Sequence, residues 1–110
     1  MNINKLNSYG CNASQWLALR GDVESMKYFL SLGLDFKILN RNGHSALHKA
    51  AIKGNMAACI WLLTPEQEGG AGLGLEHMQP DDDNFTPMLF ATANGHSELG
   101  RILNKFYEEM

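Results

Sequence analysis

The sequence has few cysteines, few prolines and no long apolar run. Cys11 and Cys59 are the only cysteines, and 3 of the 110 residues are proline. Two cysteines so far apart in sequence resemble neither the disulfide framework of a small secreted domain nor a metal-binding knuckle. No apolar stretch approaches the roughly 20 residues that a membrane-spanning helix needs, and the polar segment 1–9 carries no secretory signal. We therefore expect a cytoplasmic or nuclear protein without a membrane partner.

Basic residues are also scarce, with 9 Lys and Arg against 12 Asp and Glu and a net charge of −3. A protein that binds duplex nucleic acid needs an excess of Lys and Arg to neutralise phosphates, so we do not expect a nucleic-acid partner. Hydrophobic residues make up 45% and charged residues 19%, which is typical of globular chains. The length allows one domain or a short array of repeats.

A segment of 13 residues recurs three times, at 10–22, 43–55 and 84–96. Each copy carries a glycine at the same place, and these are Gly21, Gly54 and Gly95. The first two glycines are 33 residues apart and the last two are 41 apart. A Gly-Leu-acid tripeptide at 33–35 and again at 74–76 keeps its register with the next copy. The eight extra residues therefore lie within 64–73, a Pro- and Gly-rich stretch that we expect to be a flexible insertion.

Each copy predicts a pair of helices. Asn12, Ser45 and Thr86 stand where an N-cap belongs, and Asn12 with Gln15 resembles a capping box. The three glycines are expected to end the first helices in a left-handed conformation. The second helix of the middle copy, 56–63, is apolar almost all round, which indicates burial on more than one side.

The middle copy, Ser45-Ala46-Leu47-His48-Lys49-Ala50-Ala51 with Gly54 and Leu62-Leu63, resembles the ankyrin repeat. The third copy is similar, with Thr86-Pro87-Met88, Gly95-His96 and Ile102-Leu103, and the tripeptides at 33–35 and 74–76 look like the closing motif of that repeat. The resemblance covers roughly residues 7–106. It implies an all-α helical-repeat solenoid in which helix pairs alternate with β-turn or hairpin connections.

The expected organisation is a single domain, 1–110, with repeats at approximately 7–39, 40–80 and 81–110 and an inserted loop at about 65–72. The first repeat lacks the Leu and the His of the motif, and the third has Leu89 in place of the His and Asn84 in place of the Gly. Such erosion fits the terminal repeats of a small whole protein, and it also fits a fragment of a longer array.

The resemblance implies a protein–protein interaction module or small adaptor that binds through a concave face of turn tips and first helices. Residues at these positions have no packing role between repeats, so they are free to contact a partner. The expected face is basic around Arg41 and Lys53, acidic at Asp82 and Asp83, and carries aromatic anchors at Tyr9 and Phe85. The candidate partner-binding residues are Tyr9, Cys11, Arg20, Arg41, Asn42, His44, Ile52, Lys53, Asp82, Asp83, Phe85 and Asn94. We expect a monomer with no cofactor, no metal and no catalytic residue.

Two alternatives stay open at this point, a regulatory subunit that inhibits an enzyme and a small metal-dependent hydrolase. His44 and His48 have a metal-ligand spacing, but His44 precedes the cap Ser45, so we expect it to be exposed and to share no face with His48. The run Asp81–Asp83 is interpreted as solvated acids at a turn tip. Three aromatic residues are expected in the core, and these are Trp16, Trp61 and Phe90.

Overall fold

The structure is a computed structural model that describes residues 2–110, and these residues fold into three helix pairs in a row. The helices are α1 (Ala13–Arg20), α2 (Val23–Ser31), α3 (Ala46–Lys53), α4 (Met56–Leu63), α5 (Pro87–Ala93) and α6 (Ser97–Glu109). Short 3-10 turns at Glu66–Glu68 and Leu75–Met78 lie between the second and third pairs, and residues 2–110 contain no strand. The first helices pack side by side with α3 in the middle. The predicted all-α helical-repeat solenoid is confirmed.

The first helices begin directly after the predicted N-cap residues and end at or near the predicted glycines. Asn12 Oδ1 accepts from Ser14 N at 2.8 Å, Ser45 Oγ accepts from Leu47 N at 3.1 Å, and Thr86 Oγ1 accepts from Leu89 N at 3.1 Å. Gly21 and Gly54 take φ values of 74° and 71°, in the left-handed region that favours glycine. A link of two residues in the first two pairs and of three residues in the third therefore reverses the chain.

The capping box predicted at Asn12 and Gln15 is wrong. Gln15 does not reach back to the cap but donates through Nε2 to the carbonyl of His44, 2.9 Å away in the next repeat. A capping box forms instead in the middle repeat, where Ser45 N donates to His48 Nδ1 at 3.2 Å. His48 Nε2 also hydrogen-bonds to the carbonyl of Gln79 at 3.0 Å, so this histidine links the start of α3 to the residue that follows the second 3-10 turn.

The middle helix pair forms the centre of one continuous apolar core. Leu47 and Leu62 are fully buried, and alanines on α1, α3 and α4 let the helix backbones approach closely. Trp61 is also in the core, as predicted. Burial raises the pKa of the Cys59 thiol to about 12, so this cysteine stays protonated and unreactive. None of the helices in the described chain is both long and apolar enough to span a bilayer.

The expectation of a flexible insertion at 64–73 is wrong, because this segment packs on the end of α4. Trp61 Nε1 donates to the carbonyl of Gly69 at 3.0 Å, and Ala71 N donates to the Trp61 carbonyl at 3.1 Å. Leu73 N donates to the Leu62 carbonyl at 2.9 Å, and both Ala71 and Leu73 are buried. The insertion thus satisfies carbonyls that the last turn of a helix leaves without intrahelical partners.

Truncating Leu62 to Ala should lower the free energy of unfolding by about 2–5 kcal/mol, because it removes fully buried methyl groups from the centre of the stack. The matched control is Ile60→Ala on the same helix, where the side chain is 39% exposed and the cost should be about 1 kcal/mol or less. Urea unfolding followed by circular dichroism measures both values. Equal costs for the two variants would contradict this placement of the core.

The stability should also fall in mild acid because of His48. Burial lowers the pKa of His48 to about 4 in the folded state from 6.5, against the opposing effect of the Gln79 carbonyl. Between these pH values the unfolded chain binds a proton that the folded chain does not, so the stabilisation is complete above pH 6.5 and is lost as the pH falls towards 4.

The expected loss is up to about 3 kcal/mol over this window. His48→Gln keeps a side chain that can complete the capping box, so it should flatten the dependence of the unfolding free energy on pH. His77 is buried with a lowered pKa as well, and the His48→Gln profile should therefore retain a smaller slope of the same sign. A profile identical to that of the unsubstituted chain would overturn the assignment to His48.

Candidate functional site

Three turns of matching geometry project from the helix pairs, one before each first helix. They begin at Asn7, Asn40 and Asp81, and in each the backbone of the first residue donates to a carbonyl four residues on, at 2.8 Å. The Asn or Asp side chain closes the turn from inside. Asn40 Oδ1 accepts from Asn42 N and His44 N, each at 2.9 Å, and Asn7 and Asp81 make the equivalent two bonds. The turns are therefore built by side chains rather than by a β-ladder.

The tips of these turns are joined directly to one another. Arg41 N donates to the Tyr9 carbonyl at 2.9 Å, and Asp82 N donates to the Asn42 carbonyl at 2.9 Å. The backbone of each tip is thereby held against the next, while the side chains of Tyr9, Arg41 and Asp82 are exposed. This arrangement fixes the spacing of the exposed side chains before any partner binds, which lowers the ordering cost of binding.

The candidate residues lie in the turns or on the first helices, except Asn94, which directly follows α5. Nine of them are exposed, namely Tyr9, Arg20, Arg41, Asn42, Lys53, Asp82, Asp83, Phe85 and Asn94. The other three are half-buried, and these are Cys11, His44 and Ile52. Cys11 Sγ donates to Gln15 Oε1 at 3.1 Å, so the thiol is directed into the first repeat rather than towards solvent.

A groove of about 310 Å³ lies between the first and second turns. Tyr9 and Trp16 are 66% and 64% exposed, and both side chains line this groove together with Leu19. Cys11, Lys49 and four amide residues also line the groove, and the amide residues are Asn7, Gln15, Asn40 and Asn42. The groove combines apolar surface with amide groups and one cation, a mixture suited to a side chain and the neighbouring backbone of a partner segment.

An aromatic cluster occupies the same face between the second and third repeats. The rings of Phe85 and Phe90 stack with centroids 5.0 Å apart, and Phe90 meets the His44 ring edge-on at 5.5 Å. His44 and His48 lie nearly parallel with centroids 5.5 Å apart. Phe85 retains 39% exposure, and Leu89 on α5 retains 49%. The cluster therefore supports Phe85 from beneath and leaves one side of it open.

The expectations for His44 and Asp81 are wrong. His44 Nε2 hydrogen-bonds to Asp81 Oδ2 at 2.7 Å across the two turns, and the side chains are only 16% and 2% exposed. Burial raises the pKa of Asp81, but hydrogen bonds from Phe85 N, His44 and Asp83 N outweigh it and hold the pKa below its usual value. The pair is a structural link between neighbouring turns. Asp82 and Asp83 remain exposed, as expected for a turn tip.

His44 and His48 share a face after all, since their rings stack, but three of their four ring nitrogens already have partners and only His44 Nδ1 has none among the described residues. His48 uses both ring nitrogens, towards Ser45 and Gln79, and His44 uses Nε2. Among residues 2–110 no three His, Cys, Asp or Glu side chains are grouped closely enough to hold a metal ion.

Trp16 was expected in the core and is instead exposed, which is the main error in the sequence-based interpretation of this face. It occupies the same repeat position as Lys49 and Phe90, on the side of the first helix that no second helix covers. The groove also has four polar lining residues that were not predicted, and these are Asn7, Gln15, Asn40 and Lys49. A signal was available for the turn residues, because Asn7, Asn40 and Asp81 stand at equivalent positions in the three repeats.

Charge is segregated along the chain and hence between repeats. Residues 36–65 contain no Asp or Glu, and residues 54–100 contain no Lys or Arg. The face is therefore cationic across the second repeat, where Arg41, Lys49 and Lys53 lie, and anionic at the third turn, where Asp82 and Asp83 are exposed. The positive charges of the second repeat and the negative charges of the third turn therefore occupy separate parts of one surface.

Asn40→Ala should lower the free energy of unfolding by about 1–3 kcal/mol, because two backbone N–H groups lose their acceptor in a buried setting. Asn42→Ala is the matched control, two residues away with an exposed side chain, and should stay within about 0.5 kcal/mol of the unsubstituted chain. Thermal unfolding of both variants provides the comparison. An Asn40→Ala chain as stable as the control would mean that the turn holds without its side chain.

The comparison with protein families gives a match to the family described as ankyrin repeats (3 copies), over residues 11–108. Among curated proteins, the Notch-regulated ankyrin repeat-containing protein of Homo sapiens is 31% identical over 71 residues, covering 64% of this chain and 62% of that protein. The SMC5-SMC6 complex localization factor protein 1 of Homo sapiens is 30% identical over 106 residues, or 94% of this chain and 9% of that protein.

A third match is to an L-asparaginase of Dirofilaria immitis, 39% identical over 49 residues, which is 44% of this chain and 8% of that protein. The chain thus spans less than two thirds of the length of each of these three relatives. A match to so small a part of an asparaginase gives no support for its activity in this chain.

Proposed function

This chain belongs to the ankyrin repeat family, and from that premise we propose that it is a protein–protein interaction module that binds a partner segment across its turn tips and first helices. The observation that carries the proposal is the exposed pair Tyr9 and Trp16 beside a groove held by interlocked turns. Trp and Tyr dominate the energy of many interfaces when they are buried by a partner. Because both side chains are largely exposed, they contribute little to packing among the described residues.

The twelve candidate residues together with Trp16 and Lys49 make up the proposed contact surface. The direction of the partner segment follows from the segregated charge. Acidic residues of the partner would face Arg41, Lys49 and Lys53, and basic residues would face Asp82 and Asp83. Such complementary charge raises the association rate and selects one orientation more than it adds affinity. The anchor of the segment would be an apolar side chain in the groove beside Trp16 and Leu19.

The role would be that of an adaptor acting as a monomer, with a protein rather than a nucleic acid as partner, since the chain has 9 Lys and Arg against 12 Asp and Glu. The cysteines Cys11 and Cys59 are both free. Reduced thiols of this kind fit the cytoplasm or the nucleus.

The test is capture of partners from cell extract with the unsubstituted chain, followed by association kinetics of a captured protein. Arg41→Glu combined with Lys53→Glu should slow association by about tenfold at low salt and by less at high salt. Trp16→Ala should mainly speed dissociation, because it removes contact area rather than charge.

The matched control is Arg101→Glu combined with Lys105→Glu, which makes the same change of net charge at exposed positions on α6. It should leave both rates unchanged. A partner that associates equally fast with the Arg41→Glu, Lys53→Glu variant and with the control would contradict the proposed surface. An adaptor would bind its partner without changing that partner's activity, whereas loss of an enzyme's activity on binding would indicate an inhibitory subunit.

A further inference from the structure

A second concave region lies away from the first helices, where the inserted segment meets the end of α6. It is an open cleft of about 610 Å³, within the range of about 300–1,000 Å³ that binding pockets occupy. Leu63 and Leu73 are buried at its base, and Phe106 is half-buried. Leu75 and Met110 line the cleft and remain 43% and 49% exposed. The cleft shares no lining residue with the groove beside Trp16.

Two glycines shape this cleft, Gly72 in the inserted segment and Gly74 directly after it. A side chain at Gly72 would approach the Glu66 side chain to 2.8 Å, and one at Gly74 would approach Glu76 Oε2 to 2.7 Å. Both glycines line the cleft, so their missing side chains keep it open and let the two glutamates lie along its edge. The packed insertion thus forms one wall of the cleft.

The charges around the cleft are predominantly negative. Glu66 and Glu109 line it, and the Glu76 carboxylate lies against the lining residue Gly74. The one cation in the lining is Lys37, whose Nζ lies 2.8 Å from Glu66 Oε1. The Glu66 hydrogen bond, with the nearby charges of Glu66, Glu76 and Asp35, raises the pKa of Lys37 and keeps it charged. His77, 3.6 Å from Glu76, is buried with a lowered pKa and adds no compensating charge at neutral pH.

We propose that this cleft is a second docking site, for a partner segment in which Lys or Arg alternates with apolar side chains. The apolar base and the exposed Leu75 and Met110 would take the apolar side chains, while Glu76 and Glu109 would pair with the cations. Glu66 is already neutralised by Lys37, so a basic residue of the partner would compete with Lys37 for it. This site stands independently of the proposed surface of turn tips and first helices, and both together would let the chain bridge two partners.

The choice of a basic occupant rests on charge complementarity. The stretch 54–100, which supplies most of the cleft, has no Lys or Arg of its own to balance its acids. An acidic segment would meet uncompensated carboxylates and be repelled. A second copy of this chain could present its own cationic surface around Arg41 and Lys53, and self-association is therefore an outcome that the test must separate.

The probe is a fluorescent synthetic peptide in which leucine and lysine alternate, compared with the same peptide carrying glutamate in place of lysine. Fluorescence anisotropy with the full chain should show saturable binding of the lysine peptide only. Glu66→Gln combined with Glu76→Gln should weaken that binding by about tenfold. The matched control is Asp83→Asn combined with Glu98→Gln, which alters net charge equally at exposed sites outside the cleft lining, and it should change the affinity by less than about twofold.

Two single variants distinguish a docking cleft from general attraction to an acidic protein. Lys37→Ala removes the internal competitor for Glu66, so the lysine peptide should bind several-fold tighter. Leu75→Asn should weaken binding, whereas Leu89→Asn, a matched change at an exposed leucine on α5, should not. Equal effects of the cleft variants and their controls would overturn the proposal. So would light scattering that shows a dimer of the free chain lost on Glu66→Gln with Glu76→Gln, since the occupant would then be a second copy.

Discussion

Burial of apolar surface between adjacent helix pairs is the interaction on which the rest of this structure depends. A single pair leaves one side of each helix open to water, and only the middle pair, with Leu47 and Leu62 fully buried, is covered on both sides. Stability in such a stack comes from each repeat and from its contacts with the next. The alanines of α1, α3 and α4 favour this burial because their small side chains let the first and second helices approach closely. Every position that touches a neighbouring pair is committed to packing, and the remaining positions are free for other contacts.

The turns carry many of the positions that are free of packing contacts, and they hold these positions on one surface. Asn7, Asn40 and Asp81 close the turns from within, and backbone bonds from Arg41 and Asp82 to the preceding tips hold the three projections at fixed spacing. The His44–Asp81 hydrogen bond adds a side-chain link between the second and third turns. The polar atoms that close and link the turns are thus paired within the chain. The exposed side chains at the tips are not needed for these bonds, so they contribute little to folding. The chain can therefore vary them for recognition without losing the stack.

Much of the fold was predictable, because its determinants are local in sequence. The left-handed glycines, the caps Asn12, Ser45 and Thr86, and the apolar segment 56–63 all act within one or two helical turns. The errors arise where distant residues meet. The bond between His44 and Asp81 spans 37 positions, and the packing of the insertion on Trp61 depends on which helix carbonyls lack partners. Trp16 was misplaced for a different reason: residue type suggested burial, whereas its position on the first helix determined exposure.

The insertion shows how a local change in length can alter the surface without disturbing the stack. Its backbone N–H groups bind carbonyls at the end of α4 that the last turn of any helix leaves open, so the added residues relieve an existing need for hydrogen bonds. Burial of Ala71 and Leu73 then offsets part of the entropy cost of ordering them. The charged residues of the segment are consequently forced outward, and all of them are acidic. The insertion therefore forms an acidic wall beside the end of α6, opposite in sign to the cationic surface of the middle repeat.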